Sequence, residues 1–145
     1  MTAKEFLSLP NTIKQRMEGR HLHIEELRAQ AERSTSSWNI VTGGRRDPHA
    51  REAIIAELAD EQTELLYDLD DYLTAQEAVS EVLKQLPMED SKIYAVMSLR
   101  YLSGLTWPKV AEVMGMSQKN AFKINKKFID QLEVPEKWRT IEWTI

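Results

Sequence analysis

The sequence predicts an all-α protein: a long helical hairpin or coiled coil followed by a small three-helix helix-turn-helix domain. Three observations carry that expectation. Apolar residues recur mostly at helical spacing, and five Gly and five Pro in 145 residues are few for a turn-rich β protein. A heptad pattern runs from behind Asp47 to Leu86. The stretch from Leu105 to Leu132 reads as two short helices joined by a tight turn. The predicted organisation is an oligomerisation region over 1–87 with a loop at 34–49, a helix-turn-helix domain over 88–133, and an aromatic tail over 134–145.

From the N-terminus, Thr2 and Glu5 have capping-box spacing, and Phe6, Leu7 and Leu9 form an apolar patch that Pro10 is expected to end. Thr12 and Gln15 repeat that spacing, so a helix is predicted from there to about Ser34. Its stripe is Ile13, Met17, Ile24, Leu27 and Ala31, interrupted by Arg20. His21 and His23, two apart, point to different sides of a helix, so they read as structural or surface histidines and no metal is expected. Residues 34–49 lose the helical period and gain Ser, Thr and Gly, which predicts an exposed connection. Gly43-Gly44-Arg45-Arg46 lacks the strand-to-helix context of a nucleotide loop and has a DNA-contacting arm as its alternative.

Asp47 and Pro48 then read as a cap and first-turn proline, opening a helix that could run to Leu86 before Pro87. One seam position takes Ile55, Gln62, Leu69, Gln76 and Leu83, and the other Leu58, Leu65, Tyr72, Val79 and Leu86. Eight of the ten are apolar, the density of a coiled-coil seam, with the two glutamines suited to setting register. Ile54, Leu66 and Leu73 widen the stripe enough for a second helix of the same chain. Asp68, Asp70 and Asp71 lie in an unbroken helical pattern without glycine and are expected on a solvated face.

The segment from Met88 to Ser103 is predicted as a helix capped by Asp90 and stopped by Gly104, with Ile93, Val96, Met97, Leu99, Tyr101 and Leu102 supplying apolar surface. Beyond it, Thr106 can cap a helix whose first turn tolerates Pro108. Gly115 closes that helix and Ser117 caps the next. Val110, Ala111 and Met114 on the first, and Ala121, Ile124, Phe128 and Leu132 on the second, are the predicted buried positions. Phe122 is expected to join them, with contact to a thymine methyl as its alternative. The face left to solvent carries Gln118, Lys119, Asn120, Lys123, Lys126 and Lys127, with no acid before Asp130. Amides and ammonium groups of this kind suit base edges and phosphates. Lys119, Asn120, Lys123 and Lys127 are placed towards the groove, Gln118 and Asn120 as candidates for adenine edges. Lys109 and Lys126 are placed on phosphate, and Thr106 and Ser117 complete the candidate DNA-binding set. The tail concentrates Trp138, Ile141, Trp143 and Ile145, which predicts that it folds back on the chain, the alternative being a docking tail for a partner.

A net charge of −4 conceals a strong division. Residues 51–90 carry two basic and twelve acidic groups, whereas residues 91–132 carry seven basic and two acidic ones. With no cysteine there is no disulfide framework or thiolate chemistry. No apolar run spans a bilayer, and charges stand where a signal peptide needs an apolar core, so a cytoplasmic protein without membrane contact is expected. No nucleophile–base arrangement, nucleotide loop or metal spacing is evident, so neither enzyme activity nor a cofactor is expected.

The run Leu99-Arg100-Tyr101 through Gly104-Leu105-Thr106, with Val110-Ala111, Gly115, Ser117, Ile124 and Leu132, resembles the fourth region of bacterial sigma factors. There this motif contacts the −35 promoter element. The chain departs from the sigma pattern at Trp107-Pro108-Lys109, where an acidic residue is usual, and at Gln118-Lys119-Asn120, where arginines are common, so base preference does not carry over. The wider layout resembles small phage and prophage transcriptional regulators of Gram-positive bacteria, the RinA/ArpU-like group. That resemblance lies in Thr2-Ala3-Lys4-Glu5-Phe6-Leu7, in Arg46-Asp47-Pro48-His49 before a long acidic helix, and in the LRY…GLTW stretch. It implies a DNA-binding activator of late phage genes in a bacterial host. Double-stranded promoter or operator DNA, host RNA polymerase and further copies of the chain, a dimer being favoured, are the expected partners. The alternatives are a helical adaptor or polymerase-binding modulator without DNA specificity, and a DNA-packaging recognition subunit.

Overall fold

The computed structural model describes residues 1–40, 48–141 and 143, the side chains of 35–40 and 48 excepted. The described residues form helices and connections without a strand: α1 (Ala3–Leu7), α2 (Leu9–Ile40), α3 (Pro48–Leu83), α4 (Ser91–Tyr101), α5 (Trp107–Met114), α6 (Gln118–Ile129) and α7 (Glu136–Arg139). No described helix is long and apolar enough to cross a membrane.

Local sequence explains most of the helix starts. Thr2 Oγ1 accepts from Glu5 N–H at 3.2 Å while Glu5 Oε2 accepts from Thr2 N–H at 2.7 Å, closing the predicted capping box. Pro10 does not end a turn. It lies in the first turn of α2, where a missing N–H deprives no carbonyl of a partner. Thr12 is therefore interior rather than a cap, and its hydroxyl donates back to the Ser8 carbonyl at 3.1 Å. The helix also outlasts Ser34, so 35–40 belong to α2 rather than to a connection. Gly43, Gly44, Arg45, Arg46 and Asp47 lie outside the described residues. The 36 residues of α3 extend for about 54 Å. It stops at Leu83, short of the expected Leu86, and i→i−3 bonds from Lys84, Gln85 and Leu86 tighten the chain before Pro87.

The chain divides into two compact units, residues 15–70 and residues 1–14 with 71–145, so the boundary expected at 87/88 falls inside the second.

In residues 15–70, the stretches of α2 and α3 run antiparallel, as their polar bonds show. Arg20 bonds Asp68 at 2.8 Å and Glu61 at 2.9 Å, and further along α2 His23 meets Glu57 at 3.1 Å. Arg16 reaches Asp68 at 3.0 Å. Arg20 thus interrupts the apolar stripe because a carboxylate faces it. Asp68, expected on a solvated face, is 3% exposed and takes both arginines. Ile24 and Leu27 are buried on α2, and Leu58 and Leu65 are half-buried on the α3 face that carries Glu61 and Asp68.

The other unit has the larger core. Phe6, Leu7, Pro10 and Ile13 are fully buried, as are Val79, Val82, Leu83, Val96, Met97 and Val110. Asn11 Nδ2 donates to the Arg100 carbonyl at 3.3 Å, tying the start of α2 to α4. Gly104, at φ +72°, lets the chain turn out of α4, and a Cβ there would stand 2.5 Å from Asn11 Oδ1. Residues 133–138 fold back on the last turns of α3 and the residues that follow it. The Gln85 side-chain amide donates to the Glu133 carbonyl at 2.8 Å and accepts from its N–H at 2.9 Å. Glu81 takes Trp138 Nε1–H and Lys137 Nζ, each at 2.9 Å. Trp138, Ile141 and Trp143 are half-buried, and Ile145 lies outside the described residues.

Val79 and Leu83 must therefore be withdrawn from the oligomerisation set, because the chain's own core covers them completely. Gln76 is engaged too, donating to the Tyr72 hydroxyl at 2.8 Å. What α3 leaves in solvent is a second stripe, containing Ile55, Gln62, Leu66 and Leu69.

Candidate nucleic-acid interface

The candidate interface is built by α4, α5 and α6, which pack around Val96, Val110 and Ala121, one buried residue from each. Leu99, Leu105, Trp107, Met114, Met116 and Ile124 close around the three. Asp90 caps α4 by accepting from Lys92 N–H at 3.0 Å. Thr106 precedes α5 in extended conformation without a side-chain capping bond, and Pro108 sits in the first turn as expected. Gly115 ends α5 in the left-handed region at φ +63°, and Met116 N–H returns to the Ala111 carbonyl at 3.0 Å. Space around Gly115 is open, so conformation and not crowding demands glycine there. Two residues on, Ser117 Oγ accepts from Asn120 N–H at 3.1 Å and starts α6.

These stops and starts fix the rotation of α6. Ala121, Asn125, Phe128 and Ile129 turn inwards, and Gln118, Lys119, Asn120, Lys123, Lys126 and Lys127 are all exposed. Thr106, Lys109 and Ser117 are exposed as well, Lys109 in an ion pair with Glu112 at 3.3 Å. Every predicted DNA-contacting residue is thus accessible, with Asn120, Lys123 and Lys127 on one flank of α6 and Lys126 on the other. Asn120, Lys123 and Lys127 border an open hollow of about 440 Å³ with Lys92, Ile93 and Met116. Lys126 lies on the other flank, beside Lys4, Arg100, Trp107 and Phe122. No acidic residue occurs from 113 to 129. Like charges four apart, such as Lys119–Lys123 and Lys123–Lys127, repel on an isolated helix, and an anionic ligand relieves that repulsion.

Sequence reasoning missed three features. Asn125 is 7% exposed and accepts from the Tyr101 hydroxyl, a polar bridge between α6 and α4. Burial raises the Tyr101 pKa, against the opposing effects of Arg100 and the Asn125 bond, so the hydroxyl stays a donor at neutral pH. Lys4 and Lys92 flank the site, but only folding brings Lys4 there. Phe122, expected in the core, is instead 51% exposed. Its ring meets Trp107 edge-on, at 5.7 Å between centroids and 82° between planes. The helical spacing that places Ala121 and Asn125 inside turns residue 122 to the flank, a signal already present in the sequence.

Comparisons with protein-family models, curated proteins and solved structures returned no match.

Proposed function

We propose that this chain is a sequence-specific DNA-binding transcriptional regulator, an activator of late phage genes, acting in the bacterial cytoplasm. In this reading α5 and α6 are a helix-turn-helix of the sigma-region-4 kind, within a three-helix domain that follows a long helical hairpin. The observation that carries it is the exposed, acid-free surface of α6, where Lys119, Lys123, Lys126 and Lys127 stand with Gln118 and Asn120 on both flanks of the helix. Such a surface meets phosphates through its ammonium groups and base edges through its amides. Acid concentrated over 51–90 keeps the long helix off DNA and leaves the basic helix to bind it.

A second copy of the chain joins through the exposed stripe of α3. Ile55, Ala59, Gln62, Leu66 and Leu69 follow the alternating four-and-three spacing of a heptad seam, and Leu66 is 68% exposed. A dimer would present two copies of α6 to two half-sites.

The test is retardation of DNA fragments from the promoters neighbouring its own gene, at several salt concentrations. A fragment retained against competitor, with log affinity falling by about 0.9 per phosphate contact for each unit of log salt, is the expected result. No preference over competitor even at low salt would refute the regulator reading. The acidic α3 favours one alternative, an adaptor or RNA polymerase-binding modulator without its own DNA specificity. Lys119→Ala with Lys123→Ala separates the two, abolishing regulation in the first case and sparing it in the second.

A further inference from the structure

We infer that Phe122 reads the 5-methyl group of a thymine in the major groove, making it an apolar specificity contact beside the lysines of α6. The inference rests on the DNA-binding reading above and adds to it the base that one side chain distinguishes.

Three observations support it. The ring is 51% exposed although Phe is strongly apolar, so half its surface has no cover within the chain. It stands on α6 three residues after Lys119 and four before Lys126, and shares its flank with Lys126 and Lys4, so it protrudes beside ammonium groups proposed to meet DNA. The ring is also held in place: Trp107 packs edge-on against it, and the Arg100 guanidinium lies 4.9 Å from the centre of the Trp107 ring. Arg100 is anchored in turn by donating to the Leu105 carbonyl at 3.0 Å. A tier of Arg100, Trp107 and Phe122 therefore presents an apolar surface without further loss of side-chain freedom on binding.

Among the base edges of the major groove, thymine alone offers a methyl group. The other groups there are hydrogen-bond donors and acceptors, which a phenyl ring would desolvate without replacing their bonds. An apolar protein docking on Phe122 would have to cover the flanking lysines as well, so DNA is the better complement.

The full chain is used to select duplexes from a randomised pool. The selected duplex is then rebuilt with each thymine in turn replaced by deoxyuridine, which lacks only the methyl. At one thymine in each half-site, binding should weaken about fourfold, the worth of one buried methyl-sized group. Phe122→Ala should bind thymine and deoxyuridine duplexes equally, with the salt dependence unchanged, and Phe122→Leu should keep most of the discrimination. If Phe122→Ala fails to fold, as judged by helical circular dichroism, the leucine variant and the wild-type series decide. A selected duplex in which no deoxyuridine weakens binding, or in which the penalty persists in the alanine variant, overturns the inference and leaves the regulator reading intact. Selection of no duplex at all overturns both.

Discussion

The Tyr101 hydroxyl donates to the side-chain oxygen of Asn125 in the interior, a polar bond that joins α4 to α6. Both residues are buried, Tyr101 4% and Asn125 7% exposed, so neither can exchange its partner for water without opening the core. Tyr101→Phe leaves the Asn125 amide unsatisfied and should cost about 1–3 kcal/mol in chemical denaturation. Tyr101→Phe combined with Asn125→Leu should recover much of that loss, because no buried polar group is then left alone. Equal losses in the single and double variants would show that the unsatisfied Asn125 amide is not the source of the cost.

Gly104 makes a local demand and a long-range one. Alanine there would adopt an unfavourable φ of +72° and bring its Cβ within 2.5 Å of Asn11 Oδ1. Gly104→Ala should lower stability by about 1–2 kcal/mol from conformation alone. Displacing Asn11 from the Arg100 carbonyl should add to this. In Asn11→Ala the added penalty of Gly104→Ala should shrink to the conformational part, as thermal melting would show.

Asp68 holds two arginines on α2 and is itself buried. Asp68→Ala removes the buried carboxylate that Arg16 and Arg20 share and should cost about 1.5–3 kcal/mol, the range for bonds to charged groups. Asp68→Leu with Arg16→Met and Arg20→Met should equal or exceed the wild type, since apolar packing often replaces a buried ion pair without loss. A triple variant weaker than Asp68→Ala would contradict this account.

The Lys137 ammonium, and after it the Trp138 indole N–H, hold the Glu81 carboxyl below its ordinary pKa. A depressed folded-state pKa means that the folded chain binds fewer protons than the unfolded one. The stability this contributes is complete above the ordinary carboxylate range and is lost as pH falls through the lowered value. Acid should therefore release the tail, followed by the Trp138 indole N–H signal in NMR spectra. Glu81→Gln should remove that titration while leaving the indole signal of Trp107 unaffected.

Leu66 is exposed in the single chain, so Leu66→Lys should barely change the stability of a monomer. If the α3 stripe joins two copies, light scattering of this variant should report monomers where the wild type forms a larger species. An unchanged assembly would place the contact elsewhere.

Features within one or two helical turns were legible in the sequence. The Thr2–Glu5 box, the Asp90 and Ser117 caps, the Gly115 stop and the lysine face of α6 each follow from residues a few positions apart. Caps and faces depend on local backbone geometry, so spacing alone predicts them. The same spacing misled at Thr12 and Gln15, because a Thr-x-x-Gln pattern is compatible with a helix interior once the chain is already helical at Pro10. It also misled at Phe122, whose apolar character suggested the core although its position beside Ala121 pointed to the flank.

The heptads of α3 show where the division lies. Period alone determined that this stretch is a long amphipathic helix. It could not say whether Leu58, Val79 or Leu83 meets a helix of the same chain or of another, since apolar surface has no directional preference for its cover. Tertiary structure decided that: Val79 and Leu83 went to the chain's own core, while Ile55, Leu66 and Leu69 stayed in solvent. It likewise decided that Asp68 would be buried against arginines about 50 positions away and that Lys4 would stand beside Lys126. Sequence by itself determined that α3 is one long helix, how α4, α5 and α6 begin and end, and that the lysines of α6 are exposed. Which side chains share a neighbourhood was settled only by folding, because those pairings depend on distances that no local repeat records.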